Sequence, residues 1–483
     1  MTSLPSNSGN LPGKDARSQK LWWSVIAIAV LVVFIALLFR RGEKSASANT
    51  GSPDTTRSSR HSEGIAAERP RMPRALRNRR APEPGKTAEE IVAEKVRVFG
   101  QHRRAVAERI AKRLNKDLPP EIDAFFKAID KGDWDEIHSR WQDLATHTHQ
   151  YTYSKDDRSD LEPYWPTVLD AYGVAEQAHN WPAQKLLDYG NSILDSLRPG
   201  QVYVGGTDDG RWVPELVNET SDDSHIIVTQ NALADSSYLD YVRELYGDQF
   251  NTLTPEDSQR AFQEYMADAQ KRFQHDQDFP NEPKQVLPGE NITMVDGKVQ
   301  FSGVTSVMQV NQLLLQMLAQ KNPDLSFAVQ ESYPLKGTYA DAVPDGPLME
   351  LNGGSDGNAF TADVATQSVD YWRSAAQGLL ADPEATDSSY TMKAYSHDIN
   401  ATANLLAAHN FTSEAEEAYT LASQLSPDNP EPVSGLAQVL AQTGHADEAQ
   451  NLLDQFASKY PDQKKAIDQA RTAIVWTMPA TKP

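Results

Sequence analysis

Two stretches near the end of the chain repeat one another at a fixed displacement. Glu414–Glu431 reads EAEEAYTLASQLSPDNPE and Asp447–Lys464 reads DEAQNLLDQFASKYPDQK, so Ala415, Tyr419, Ala422 and Pro427 recur as Ala449, Leu453, Phe456 and Pro461, each 34 residues on. A unit this short cannot enclose a core of its own. Such units must stack and bury their apolar faces on one another. Within each unit the spacing is helical: small residues let two backbones approach, larger ones seal the seam, and the proline ends the second helix. The first helices agree, because Ile399, Ala403 and Leu406 correspond to Val433, Ala437 and Leu440, with Asn410 and Gly444 placed at the tight turn between helices.

A period of 34 is that of the tetratricopeptide repeat. The chain resembles tetratricopeptide proteins over about Met392–Pro461, with DQKKAIDQARTAIVW, from Asp462, as a closing cap helix. It departs from the family pattern where the first-helix Trp and Tyr positions carry aliphatic residues. The resemblance implies a concave surface that grips an extended peptide or a partner helix, with no reaction centre. Asn400, Asn404, Ser434 and Gln438 are the candidate inner-face positions for protein partners.

Charge divides the chain. Residues 1–116 hold 23 Lys+Arg and 10 Asp+Glu, about +13, which leaves about −34 on residues 117–483 of a chain whose net charge is −21. An acidic body of this kind repels nucleic acid. The absence of cysteine excludes disulfides, thiolate metal sites and a cysteine nucleophile.

Leu21–Phe39, LWWSVIAIAVLVVFIALLF, has Ser24 as its one polar residue, and its length matches a helix crossing a hydrocarbon core of roughly 30 Å. Trp22 and Trp23 suit one interface and Arg40-Arg41 close the other. No small-x-small cleavage pattern precedes Arg40, so a retained anchor is expected rather than a signal peptide. Flanking charge is nearly balanced. An extracytoplasmic body at a bacterial inner membrane is the expectation for an uncleaved N-terminal anchor of this type. The following Ser-, Pro- and Arg-rich stretch, including Arg69–Pro84 (RPRMPRALRNRRAPEP), is expected to be a disordered basic tether.

Helical hairpins are expected next. Thr87 and Glu90 make a capping box, and Ile91, Val98, Val106 and Ile110 are read as one apolar stripe. Phe125, Phe126 and Ile129 should meet Ile137, Trp141 and Leu144 across Lys131-Gly132-Asp133, and a second pair follows around Pro182. After Pro199-Gly200 the grammar changes to QVYVGG, SHIIVTQ and LSFAVQES. These short β-rich runs alternate with helices, which suggests parallel strands joined by crossovers. NITMVDGKVQF, with its Asp296-Gly297 turn signal, reads as a hairpin, and GPLMELN as a late edge strand.

The best candidate for chemistry is VYVGGTDDGR, because ligands of α/β sheets bind beyond the carboxyl ends of strands. Gly205, Gly206 and Thr207 could offer N–H groups to a phosphate, Asp208 and Asp209 could hold a hard cation, and Gln230 and Asn231 would share that edge. The spacing is not that of a P-loop or dinucleotide fingerprint, and adjacent glycines and aspartates also make ordinary turns. His147 and His149 form no metal-binding constellation, and the Gly353–Gly357 run lacks the strand context of an active turn. No cofactor, resident metal or catalytic residue is assigned. This region, with VMQVNQLLLQMLAQKNPDLSFAVQES from Val307, is faintly similar to the soluble region of polytopic glycosyltransferase-like membrane proteins. One span against many leaves only the module's fold to carry over.

The expected architecture is α+β and multidomain: an N-terminal tail (1–20), a single transmembrane helix (21–39), a basic tether (40–86), helical hairpins (87–198), an α/β module with mostly parallel strands (199–358) and a tetratricopeptide-like α-solenoid with a cap helix (359–483). As a whole it resembles membrane-anchored bacterial tetratricopeptide proteins. Its expected role is a scaffold or adaptor. The alternative is a small-ligand or metal-dependent enzyme or sensor using the Gly205–Asp209 loop.

Overall fold

The computed structural model describes residues 85–147, 160–206, 208–221, 224–287, 289–295, 298–330, 342–351 and 360–477. The apolar run Leu21–Phe39 and the basic stretch after it lie outside the described residues, as do Thr207, His149, Asp296-Gly297 and Gly353–Gly357. Among the described residues no helix is long and apolar enough to cross a membrane. The described chain is mostly helical, with a small mixed sheet and a two-stranded ribbon.

Helix α1 (Ala88–Arg113) starts at the expected capping box, Thr87 with Glu90. Its buried stripe is Val92, Val96, Phe99, Arg103, Val106 and Ile110, and Ile91 and Val98 are only half-buried. The expected stripe was therefore offset. It avoided Arg103, which a charge-averse reading places outside. Helices α2 (Pro120–Lys131) and α3 (Trp134–Ala145) form the expected hairpin, since Gly132 adopts φ 69° and Asp133 caps α3. Trp141 stacks on Tyr172 of α4 (Trp165–Asn180), with ring centroids 4.1 Å apart. Helix α5 (Ala183–Leu194) packs on α6 (Asp208–Asn218), where a Cβ on Gly190 would lie 2.5 Å from Val217.

The main sheet contains β1 (Val202–Gly205), β2 (Ile227–Thr229), β5 (Phe327–Val329), β6 (Val343–Asp345) and β7 (Leu348–Leu351), in the order β2-β1-β5-β7-β6. Strands β2, β1 and β5 run parallel, with Gly205 opposite Thr229 and Val204 opposite Val329. Strands β7 and β6 are antiparallel. GPLMELN forms β7, an inner strand, and β6 is the edge. The expected edge position fails because Val343–Asp345 supplies a further partner. NITMVDGKVQF does pair with itself, as β3 (Asn291–Val295) against β4 (Lys298–Ser302). Three further helices, α7 (Ser236–Tyr246), α8 (Pro255–Asp278) and α9 (Val304–Lys321), complete this part.

Helix α6 contains Pro214, which has no N–H to give to the Gly210 carbonyl one turn back. A buried carbonyl left without a donor is costly. The hydroxyl of Tyr203 on β1, its one hydrogen shared between that carbonyl and Gln330 Oε1, stands in for the missing donor. One apolar core runs from Val92 on α1 to Leu351 on β7. The boundary expected near 198/199 falls inside that core.

The remaining helices are α10 (Ala362–Leu380), the short α11 (Pro383–Thr386), α12 (Ser389–Ala408), α13 (Thr412–Leu425), α14 (Pro430–Gln442), α15 (Ala446–Lys459) and α16 (Lys464–Thr477). They carry two further apolar clusters, one about α10, α12 and α13, the other about α14, α15 and α16.

Candidate functional site

The repeat residues do what their spacing requires. Ala415, Tyr419, Ala422, Ala449, Leu453 and Phe456 are all buried, as are Ile399, Ala403, Val433 and Ala437. Pro427 and Pro461 lie just beyond the ends of α13 and α15. Asn410 and Gly444 occupy the turns between paired helices with φ 63° and 91°. Between the pairs, the Tyr419 ring lies where Gly435 has no side chain; a Cβ there would sit 2.3 Å from it.

The four inner-face candidates differ in what they touch. Asn400 is buried, only 8 % exposed, and its Oδ1 has no hydrogen-bond partner among the described residues. Asn404 Oδ1 accepts from the Tyr419 hydroxyl at 2.7 Å. Ser434 Oγ donates to the Pro430 carbonyl of its own helix. Gln438 is half-buried.

Helix α12 belongs to two cores at once. Met392, Ile399, Ala403 and Leu406 pack into the array, and Ala394, Ala401 and Leu405 pack into the main core. At the carboxyl end of β5, Gln330 Nε2 donates to Asp398 Oδ2 of α12 at 2.7 Å and to the Tyr189 hydroxyl at 2.9 Å. Tyr189 also meets Tyr395 edge-on, with centroids 5.1 Å apart. The first helix of the array thus serves as a wall of the α/β region.

The Gly205–Asp209 segment sits where the strand order reverses about β1, the usual crevice for ligands in open α/β sheets. Its detail departs from expectation. Asp208 and Asp209 are not loop residues but the first turn of α6. Two carboxylates there satisfy the positive end of the helix, and they repel the phosphate that the glycines were read as cradling. Gly205 serves packing instead, since a Cβ would meet the Gly210 carbonyl at 2.8 Å. The Gly206 carbonyl accepts from Asn231 Nδ2. Asn231 Oδ1 and both amide atoms of Gln230, a residue 0 % exposed, have no partner among the described residues. No group of three or more His, Asp or Glu among the described residues could hold a metal ion.

Asp209 instead faces protein. Its Oδ1 accepts from the Trp181 indole at 3.4 Å, and Lys393 and His397 on α12 stand near enough to bias its charge. Burial nevertheless pushes its carboxyl up to about 6. Glu176 on α4, which accepts from the Tyr172 hydroxyl at 3.0 Å, is likewise held above the usual carboxylate range by burial, with repulsion from Asp209 adding to it. Both carboxylates, by the same signs, act on Tyr390 at the start of α12. The Asp209 segment and α12, singled out separately in the sequence, are therefore linked electrostatically through Lys393 and His397. Glu176, Trp181, Lys393 and His397 carried no local signal, because no spacing rule links α4 to α12.

A second polar cluster holds the main core together. Arg211 Nη2 donates to Asp170 Oδ1, Tyr241 Oη donates to Asp170 Oδ2, and Arg103 Nη1 donates to Glu219 Oε2 at 2.7 Å. Arg211 Nε also reaches Glu215 Oε1 at 3.4 Å. Burial and repulsion from Asp170 push the Glu215 carboxyl up to about 8. Arg103 completes the i, i+3, i+4 apolar stripe of α1, and that position was its one sequence signal.

In comparison with known families, the tetratricopeptide repeat family model matches residues 405–474, from the last turn of α12 into α16. Neither a curated protein nor a solved structure matches the chain, so the similarity to glycosyltransferase-like membrane proteins finds no support there.

Proposed function

We propose that this chain is a membrane-anchored scaffold or adaptor, held by Leu21–Phe39, that binds partner proteins through the inner face of its C-terminal helix pairs. The observation that carries this reading is the stacking of two helix pairs 34 residues apart, of which α13, α14 and α15 lie within the segment matched by the tetratricopeptide family. Such arrays present the first helix of each pair to an extended peptide or a partner helix. Here α12 is engaged by the α/β region, so α14, with Ser434 and Gln438, offers the accessible part of that face. The body is placed on the extracytoplasmic side of a bacterial inner membrane.

The second reading is a small-ligand sensor at the Gly205–Asp209 crevice. The unpartnered amide of Gln230 at the carboxyl end of β2 favours it. The two readings separate by mutation. Affinity isolation of the full chain from membranes should lose its specific partner with Ser434→Arg and Gln438→Arg together, and keep it with Asp208→Ala and Asp209→Ala together. The reverse pattern would displace the scaffold reading. A topology reporter fused after Pro483 is expected on the extracytoplasmic side, and a cytosolic signal would overturn that placement.

A further inference from the structure

Helix α12 has two buried stripes with different partners. Met392, Ser396, Ile399, Ala403 and Leu406 recur at helical spacing on the side of the array, where Ser396 Oγ donates to the Ala422 carbonyl at 2.8 Å. Ala394, Asp398, Ala401 and Leu405 recur at the same spacing on the side of the main core. Asp398 is the charged member of this second stripe and is 1 % exposed. A carboxylate so buried is tolerated only while it is hydrogen-bonded. Gln330 Nε2, at the carboxyl end of β5, donates to it at 2.7 Å and to the Tyr189 hydroxyl of α5 at 2.9 Å. The hold on α12 therefore depends on how well one carboxamide donates.

That carboxamide is governed by Tyr203. The Tyr203 hydroxyl lies 2.5 Å from Gln330 Oε1 and also bonds the Gly210 carbonyl in the first turn of α6. A phenol has one hydrogen, so it fully serves one of these acceptors at a time. Both acceptors need it. Pro214 withholds the N–H that the Gly210 carbonyl would otherwise receive, and Gln330 is itself only 1 % exposed. Linked hydrogen bonds polarise one another, so an amide whose oxygen accepts a hydrogen bond gives its N–H groups more readily. With the hydrogen on Gln330, Nε2 grips Asp398 and Tyr189 more firmly. With the hydrogen on Gly210, that grip slackens. The same atoms thus have two discrete arrangements, which is what a switch requires.

We propose that the Tyr203 hydroxyl is a toggle that couples the first turn of α6 to α12, the inner helix of the first pair of the array. The first turn of α6 adjoins the Gly205–Asp209 crevice, so an occupant that displaced the Gly210 carbonyl would pass the hydrogen to Gln330 and tighten α12. That consequence rests on the small-ligand reading of the crevice. The toggle itself does not, and its test uses no ligand.

The test is Pro214→Ala in the full chain. Alanine returns an N–H to the Gly210 carbonyl and leaves the Tyr203 hydrogen to Gln330. Hydrogen–deuterium exchange followed by mass spectrometry should show the α12 amides around Asp398 exchanging about threefold more slowly than in the native chain, with those of α15 unchanged. Tyr203→Phe should speed exchange in α12, and Pro214→Ala added to it should have no further effect there. Gln330→Met removes the acceptor while keeping Tyr203, and Pro214→Ala should be equally silent in that chain, which provides the same comparison should Tyr203→Phe not fold. The proposal is overturned if Pro214→Ala alone leaves α12 exchange unchanged or speeds it, if α15 slows as much as α12, if Tyr203→Phe folds and does not speed exchange in α12, or if the slowing persists without the Tyr203 hydroxyl or the Gln330 carboxamide.

Discussion

The array and the α/β region solve the same problem, a stable interior, with different materials. The array is closed by alanine, leucine and aromatic side chains that recur at a fixed spacing: Ala403 and Ala437 at the crossings, Tyr419, Leu453 and Phe456 along the seams. The α/β region encloses two arginines and the carboxylates of Asp170 and Glu215 within its apolar shell. The first design is local and tolerant. The second is global and brittle, because each buried charge depends on a partner contributed by a distant segment.

The sharpest way to break this contrast is Asp170→Leu. It leaves Tyr241 without its acceptor and Arg211 with only its 3.4 Å bond to Glu215, and should cost about 3–5 kcal/mol, seen in urea unfolding as collapse of the α/β region. An unchanged midpoint would mean the network contributes little.

The next effect concerns pH. Glu215 binds its proton more tightly folded than unfolded, about 8 against an ordinary 4.5, so its contribution is fully present below the unfolded value and is lost as pH rises through the folded one. Melting temperature should therefore fall between about pH 4.5 and 8 in the native chain relative to Glu215→Gln. Parallel curves for the two would remove Glu215 from the account.

In the array the expected losses are smaller. Ala437→Leu overfills a helix crossing and should cost about 1–3 kcal/mol, readable in thermal unfolding. Gly444→Ala places a side chain at φ 91° and should cost about 1 kcal/mol, whereas the turn at Asn410 already tolerates one. If either array change unfolded the α/β region as Asp170→Leu does, the two interiors would have to be regarded as one cooperative unit, coupled through α12.

This difference also decides what the sequence could disclose. A repeat is visible because the same local problem is solved twice, so the seam residues and both turns stand out by alignment of the chain with itself. The parallel strands were legible for a related reason, since VYVG, IIVT and FAV are short apolar runs between helices. The ionic core was not, because Asp170 meets Arg211 across 41 residues and Arg103 meets Glu219 across 116. Asp208 and Asp209 looked like a loop because two glycines precede them, yet acidic residues equally favour a first helical turn. The position of Asn400 in the repeat is one that faces the open groove in an isolated array. Here it is buried.

The central claim is that the inner face of the stacked pairs is the working surface. It is tested most directly by site-specific photocross-linking of the full chain in cells, with the probe at Gln438 on the first helix of a pair or at Gln450 on the second. The account predicts a discrete adduct from Gln438 and none from Gln450. Adducts from Gln450 alone, or from neither position, would contradict it.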